Sequence, residues 1–241
     1  MRLISRIRLE SGEVGDAQRS VRGGSVPWLL VAVAIAAIAL FAAVTVAVAT
    51  NPTLAFDSRA FEISDDLRAP WLDKAARVVT TLGLIAIVGS AVLLAAWLLI
   101  MRRHRIRAAG LVVGAMLAWV SVWITKALVD RARPPDPLVH ISGQSYPSAH
   151  AANSVGWLAL AVGLTAVIPN RRARIVAVTA GGVLSVLVGL SRIYLRAHYA
   201  SDVLAGEALA LAMYALASIG AVAWPAGHER TMKGMPLRID R

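Results

Sequence analysis

The chain has 241 residues, of which 58% are hydrophobic and only 16% charged, and it contains no cysteine. That balance excludes an ordinary soluble domain, and the missing thiols exclude disulfides and thiolate metal sites. The formal charge of +11 would suit a nucleic-acid partner in a soluble protein, but here the basic residues cluster between apolar runs, so the charge reads as membrane topology and no nucleic acid is expected.

In chain order, residues 1–24 form a polar, basic tail ending in Gly23-Gly24. A helix needs about 20 apolar residues to cross roughly 30 Å of hydrocarbon. Six runs near that length follow, from Val26 to Ala49, Val78 to Ile100, Ala108 to Thr125, Ala151 to Ile168, Ile175 to Leu190 and Val203 to Trp224. The expected fold is therefore all-α: a polytopic membrane protein with six transmembrane helices, a membrane domain over 25–224 and a cytoplasmic tail over 225–241. Ala47-Val48-Ala49 has the shape of a signal cleavage site, but the apolar run before it is too long for a signal peptide, so a retained span is expected. After it, Asn51 to Lys74 mixes Phe56, Phe61, Leu67 and Trp71 with five acids, the pattern of an amphipathic segment lying on the membrane surface. Gly110 and Gly114 make a small-xxx-small pair, the mark of a close helix crossing.

Placing both termini in the cytoplasm puts most basic residues inside: the arginines of the N-terminal tail, Arg102, Arg103, Arg105 and Arg107, then Arg171, Arg172 and Arg174, and the basic C-terminal tail. Trp28, Trp97 and Trp224 then fall near inner span ends, where indole rings prefer the interface. With this topology the connection between spans three and four lies on the same, outer, side as that between spans five and six. The first begins at KALVDRARP, Lys126 to Pro134, and ends at YPSAH, Tyr146 to His150; the second is SRIYLRAHYASD, Ser191 to Asp202. Together they gather Lys126, Arg131, Arg133, His150, Arg192, Arg196, His198 and Asp202 at one membrane face, a cluster suited to an anionic ligand. Taken alone, Arg131 and Arg196 read as loop charges or interfacial anchors. Lys126 directly follows an apolar run and Asp202 leads into one, where ionisable groups are costly and mostly functional.

Pro147 and Ser148 are helix-start signals, with Ser148 the N-cap of the fourth span. The backbone N–H groups near Ala149 and His150 are then free to hold phosphate oxygens. His198 and Asp202 are four apart and share a face if the segment is helical. Asp202 can then accept a hydrogen bond from one ring nitrogen and leave the other unprotonated and nucleophilic.

Lys126 followed after six residues by Arg133-Pro134, the run Pro147-Ser148-Ala149-His150, and Ser191-Arg192 followed by His198 and Asp202 closely resemble the three signature motifs of the type 2 phosphatidic acid phosphatase family, in order and with its spacings. The departure is Ala149, where the family usually has Gly. The resemblance implies an all-helical membrane phosphohydrolase that uses no metal and no other cofactor. Carried over by position, His198 attacks phosphorus, Asp202 orients it and stabilises its imidazolium, and His150 protonates the leaving oxygen. Lys126, Arg133 and Arg192 hold the phosphate, assisted by Ser148 and the backbone near Ala149. The implied partners are membrane lipids and a lipid phosphate or diphosphate, with polyprenyl diphosphate first and phosphatidic acid or phosphatidylglycerol phosphate as alternatives. A phosphotransferase, a vanadate-dependent haloperoxidase and a non-enzymatic lipid-binding or transport protein are the competing readings. The expected location is the plasma membrane, with the site facing outward.

Overall fold

The structure, a computed structural model, describes residues 28–233, with side chains through residue 223. The expected N-terminal tail lies outside the described residues. Among those described there are eight helices and no strand: α1 Trp28–Thr50, α2 Ala55–Asp66, α3 Pro70–Thr81, α4 Ile85–Met101, α5 Arg105–Val129, α6 Ala149–Leu164, α7 Arg171–Tyr194 and α8 Ala200–Lys233. The bundle takes in α8 through Ala221.

The distribution of side chains is that of a bundle in lipid. Helix α1 is apolar along its whole length yet buries only Ala34, Ala37, Val44 and Val48, while Leu29, Ile35 and Val46 stand on the outside. A helix apolar all round whose large side chains face outward is matched to hydrocarbon, and the interior is left to small residues that let backbones approach. Gly114 meets this requirement directly: a Cβ there would lie 2.9 Å from Tyr214 Cα on α8. Gly110 likewise faces Ser218, so the small-xxx-small pair is a close crossing of α5 with α8 within the chain. Around it Val88, Leu99, Leu111, Val122, Val155 and Leu209 close the largest core cluster.

The segment between the first two spans is helical and amphipathic. In α2, Asp57 and Phe61 point inward, and Phe61 packs on Tyr199, with ring centroids 5.7 Å apart. Helix α3 starts with Pro70 in its first turn, where the missing N–H costs nothing. It continues into α4 through a 48° bend, so the expected span Val78 to Ile100 is a broken one. Gly83 sits in that break, where a Cβ would lie 2.7 Å from Val188 Cγ1 and 2.9 Å from the His150 carbonyl. The lack of a side chain lets the α3–α4 corner press on α7 and on the start of α6.

By length and composition four helices can cross a membrane: α1, α5, α7 and α8 over Ala200–Ala223. The bent pair α3–α4 makes five, and these apolar helices make the chain a multi-pass membrane protein. The expected fourth span is α6, apolar but only 16 residues long, about 24 Å at 1.5 Å per residue against roughly 30 Å of hydrocarbon. At the other end, α8 runs through Lys233, past the Trp224 boundary read from the sequence.

Candidate active site

The two polar connections do meet. Leu138 N–H donates to the Leu195 carbonyl at 3.0 Å and Ser148 N–H to the Asp202 carbonyl at 2.9 Å, while Arg133 Nη1 donates to the Ala197 carbonyl at 2.8 Å. Helix α7 ends in a turn with Arg196 in the left-handed region (φ +49°), which brings the amides of Ala197 and His198 back to the Arg192 carbonyl at 3.0 and 3.3 Å. This is the way a helix closes its last carbonyls. Here it also fixes the position of His198 relative to Arg192.

The His198 imidazole is 2% exposed and bridges two groups of opposite charge. Its Nε2 lies 3.2 Å from Arg133 Nη1, and its Nδ1 lies 3.3 Å from Asp202 Oδ2. A guanidinium can only donate, so Nε2 offers its lone pair toward Arg133, and Nδ1 carries the hydrogen that Asp202 accepts. Burial, reinforced by the Arg192 and Arg133 charges and opposed by Asp202, lowers the His198 pKa from 6.5 to about 4. The ring is thus neutral at physiological pH, with Nε2 unprotonated and its lone pair turned toward Arg133. Asp202 is fully buried and also accepts from the Tyr199 amide at 3.0 Å, from the Ser145 hydroxyl and from Arg131 Nη1.

Three cations surround this ring without a carboxylate of their own. Lys126, 6% exposed at the end of α5, donates to the Gln144 carbonyl at 2.7 Å. Arg192, 3% exposed, donates from Nη1 to Thr80 Oγ1 at 2.8 Å, and its buried Nε has no partner. Half-buried Arg133 donates to the carbonyls of Gly143 and Ser142 at 2.9 and 3.0 Å. Among the described residues none of the three is in an ion pair. His150, in the first turn of α6, is within electrostatic reach of Arg192, His198, Arg133 and Lys126. Ser148 is fully buried and caps α6, its hydroxyl accepting from Ala151 N–H at 3.4 Å. The amides of Ala149 and His150 open that helix and have no acceptor within it. All eight residues singled out from the motifs therefore lie together on or beside the two joined connections, in a cluster that is positive and, apart from half-buried Arg133, largely buried. Such a place suits a tetrahedral oxyanion.

Arg131 departs from its reading as a loop charge. It is 7% exposed and pairs with Asp202 and with Asp57 of α2, the latter at 3.0 Å. Arg196 keeps to the rim, paired with exposed Asp65 and lying over the Phe61 ring at 4.9 Å. Asp57, Ser145, Ser201 and Thr80 are the participants that motif reading passes over. The one local hint is that Asp57 lies on the same amphipathic face as the buried Phe61.

With the geometry in hand, comparison with known proteins is direct. The profile described as PAP2 superfamily matches residues 124–224, the stretch that holds both polar connections. Phosphatidylglycerophosphatase B of Bacillus subtilis is 30% identical over 189 residues, covering 73% of this chain and 88% of that protein. The crystal structure of a transmembrane PAP2-type phosphatidylglycerolphosphate phosphatase from Bacillus subtilis superposes with a TM-score of 0.70 at 25% identity, covering 84% of this chain and 98% of that one. Aquifex aeolicus LpxE shares the fold, with a TM-score of 0.55 at 21% identity over 68% of this chain and 95% of its own. The chain is a multi-pass membrane protein belonging to the PAP2 superfamily of lipid phosphatases.

Proposed function

We propose that the protein hydrolyses the phosphate of a membrane lipid through a phosphohistidine on His198. The observation that carries this reading is a set of three cations, Lys126 and Arg192 buried and Arg133 half-buried, bonded only to neutral groups beside a neutral imidazole, with the Arg192 Nε unused. A phosphate ester repels nucleophiles, and fixed cations in a dehydrated site offset that charge without a metal. Nε2 attacks phosphorus, the N–P bond forms as the P–O bond to the lipid breaks, and His150 gives the leaving oxygen its proton. Asp202 faces the resulting positive charge on the ring. Water then attacks phosphorus while His150 takes up its proton, and the N–P bond breaks to release inorganic phosphate and regenerate the neutral imidazole. Lys126 and the forks of Arg133 and Arg192 hold the equatorial oxygens throughout, with the Ala149 and His150 amides at the start of α6.

The reading includes six crossings, with α6 the shortest, both termini cytoplasmic, and the site at the extracytoplasmic face of the plasma membrane. The arginine-rich turns at the opposite end of the bundle support that orientation. The names of the relatives make a glycerolipid phosphate of the phosphatidylglycerophosphate kind the first substrate to test. Polyprenyl diphosphate, the first expectation from sequence, calls on the same chemistry, since either lipid presents a terminal phosphoryl group on an apolar tail.

The test is phosphate release by purified protein from a panel of phosphatidylglycerophosphate, phosphatidic acid and polyprenyl diphosphate, with and without chelator. The expected result is release that persists in chelator. No release from any lipid, with His198→Ala indistinguishable from the parent in lipid binding, would leave the lipid-binding or transport reading. A labelled alcohol acceptor separates hydrolysis from phosphotransfer.

A further inference from the structure

We infer that Asp57 and Arg131 form a positioning relay, reaching from the surface helix α2 to the nucleophile, that keeps Asp202 free to support the His198 imidazolium. This inference rests on the roles proposed above for His198 and Asp202.

The relay is built from groups that are all buried. Arg131 divides its fork: Nη1 donates to Asp202 Oδ1 and to Ser201 Oγ at 2.7 Å, whereas Nη2 donates to Asp57 Oδ2 at 3.0 Å. Its Nε donates to the Pro52 carbonyl at 3.0 Å, and the guanidinium lies over the Tyr199 ring at 4.0 Å. Asp57, fully buried, accepts from Ser201 N–H and Ser201 Oγ, each at 2.8 Å, and from Leu54 N–H at 3.2 Å. The chain of contacts therefore runs from the start of α2 through Arg131 to the first turn of α8, where it ends on Ser201 and on Asp202 itself. It occupies Oδ1 of Asp202, which leaves Oδ2 to the Ser145 hydroxyl, the Tyr199 amide and the imidazole.

Charge gives the pair a function beyond packing. A buried ion pair contributes little net stability compared with apolar residues of the same shape, so stability alone does not account for two carboxylates and a guanidinium in one dehydrated cluster. With Arg131 alone beside it, Asp202 would be largely neutralised and would give the imidazolium little support. Asp57 offsets Arg131, so the cluster keeps one net negative charge facing His198. The charged groups acting on His198 are then Asp202 on one side and Arg192 and Arg133 on the other, with Arg131 and Asp57 acting through Asp202.

The experiment uses full-length protein in detergent with phosphatidylglycerophosphate and phosphatidic acid as probes. It compares Asp57→Asn, Arg131→Gln, Arg131→Lys and the double variant Asp57→Asn/Arg131→Gln with the parent and with His198→Ala. Asp57→Asn, an isosteric change, is expected to lower kcat about 10- to 100-fold, the scale known for outer partners that orient metal-bound histidines, with KM little changed. Its acid limb moves to lower pH, because Arg131 now acts unopposed. Arg131→Gln moves that limb to higher pH, Arg131→Lys recovers part of kcat, and the double variant brings the limb back toward the parent. A purely structural role would move thermal stability and leave these opposed shifts absent. Parental kcat and pH profile in Asp57→Asn overturn the relay, as do shifts of the same sign in both single variants. If Arg131→Gln does not fold, the direction of the Asp57→Asn limb alone decides. Phosphate release by His198→Ala at the parental rate would instead overturn the proposed function, and a silent His198→Ala beside a parental Asp57→Asn overturns the relay alone.

Discussion

The two ends of the helix bundle spend their charges in opposite ways. At the end where α4 meets α5 and α6 meets α7, the connections are short and Arg102, Arg103, Arg105, Arg171, Arg172 and Arg174 all stand exposed. Their contacts stay within that end: Arg174 reaches the Ile168 carbonyl at 2.6 Å, and exposed Arg107 reaches Thr165 at the end of α6 at 3.1 Å. At the other end Lys126, Arg131 and Arg192 are buried beside His198 and Asp202, and the two connections are tied by backbone hydrogen bonds. Exposed cations cost little and contribute little to stability, which fits a role in setting orientation. Buried ones are expensive and persist only where something requires them. An arginine count does not distinguish these cases; burial and partners do.

That contrast is open to direct tests. The largest effect is expected from His198→Ala, which should reduce phosphate release by at least about 10³-fold, since it removes the proposed nucleophile; turnover near the parental rate would end the assignment. Arg192→Ala should follow with a loss of roughly 10²- to 10³-fold in kcat/KM, the scale of removing one preorganised donor. Arg107→Ala, at the opposite end, should leave turnover unchanged. A third test is pH. Because the His198 pKa falls from 6.5 to about 4, the neutral nucleophile persists well below pH 6, so the acid limb it sets should lie near pH 4 to 5. The sign for stability is the same: the fold prefers the neutral ring, so the contribution is complete above pH 6.5 and is lost as pH falls toward 4. An acid limb at 6.5 would mean that the ring is solvated. Smaller still, Arg196→Ala should cost no more than about threefold, since its exposed pair with Asp65 is of the kind that contributes little; a loss equal to that at Arg192 would break the contrast. Ala149→Gly should be tolerated or mildly favourable, and a large loss of phosphate release would show that the site depends on the methyl.

Much of this was legible in the sequence because the motif residues lie in two connections that the expected parity of the spans puts on one side, and the backbone hydrogen bonds between those connections do join them. His198 and Asp202, four apart, needed only a helix start between them to become partners. The relay was not legible, since Asp57 is 74 residues from Arg131 and 144 from Ser201. No local pattern records such a contact, and Arg131 by itself looks like any arginine at a span end. The second span also read as continuous, because Gly83 interrupts the helix without interrupting the apolar run.

The shortness of α6 has a consequence for how a lipid reaches His150 and the Ala149 amide. A rod about 24 Å long in a slab of about 30 Å stops roughly one helical turn below the surface if its far end is flush. If α6 is the short sixth crossing proposed above, the rim of the site is sunken, and the bilayer beside it either dimples or admits water to that depth. A head group can then descend to the reactive ring from its own leaflet, and the hydrocarbon chains need not be lifted out of the oil phase.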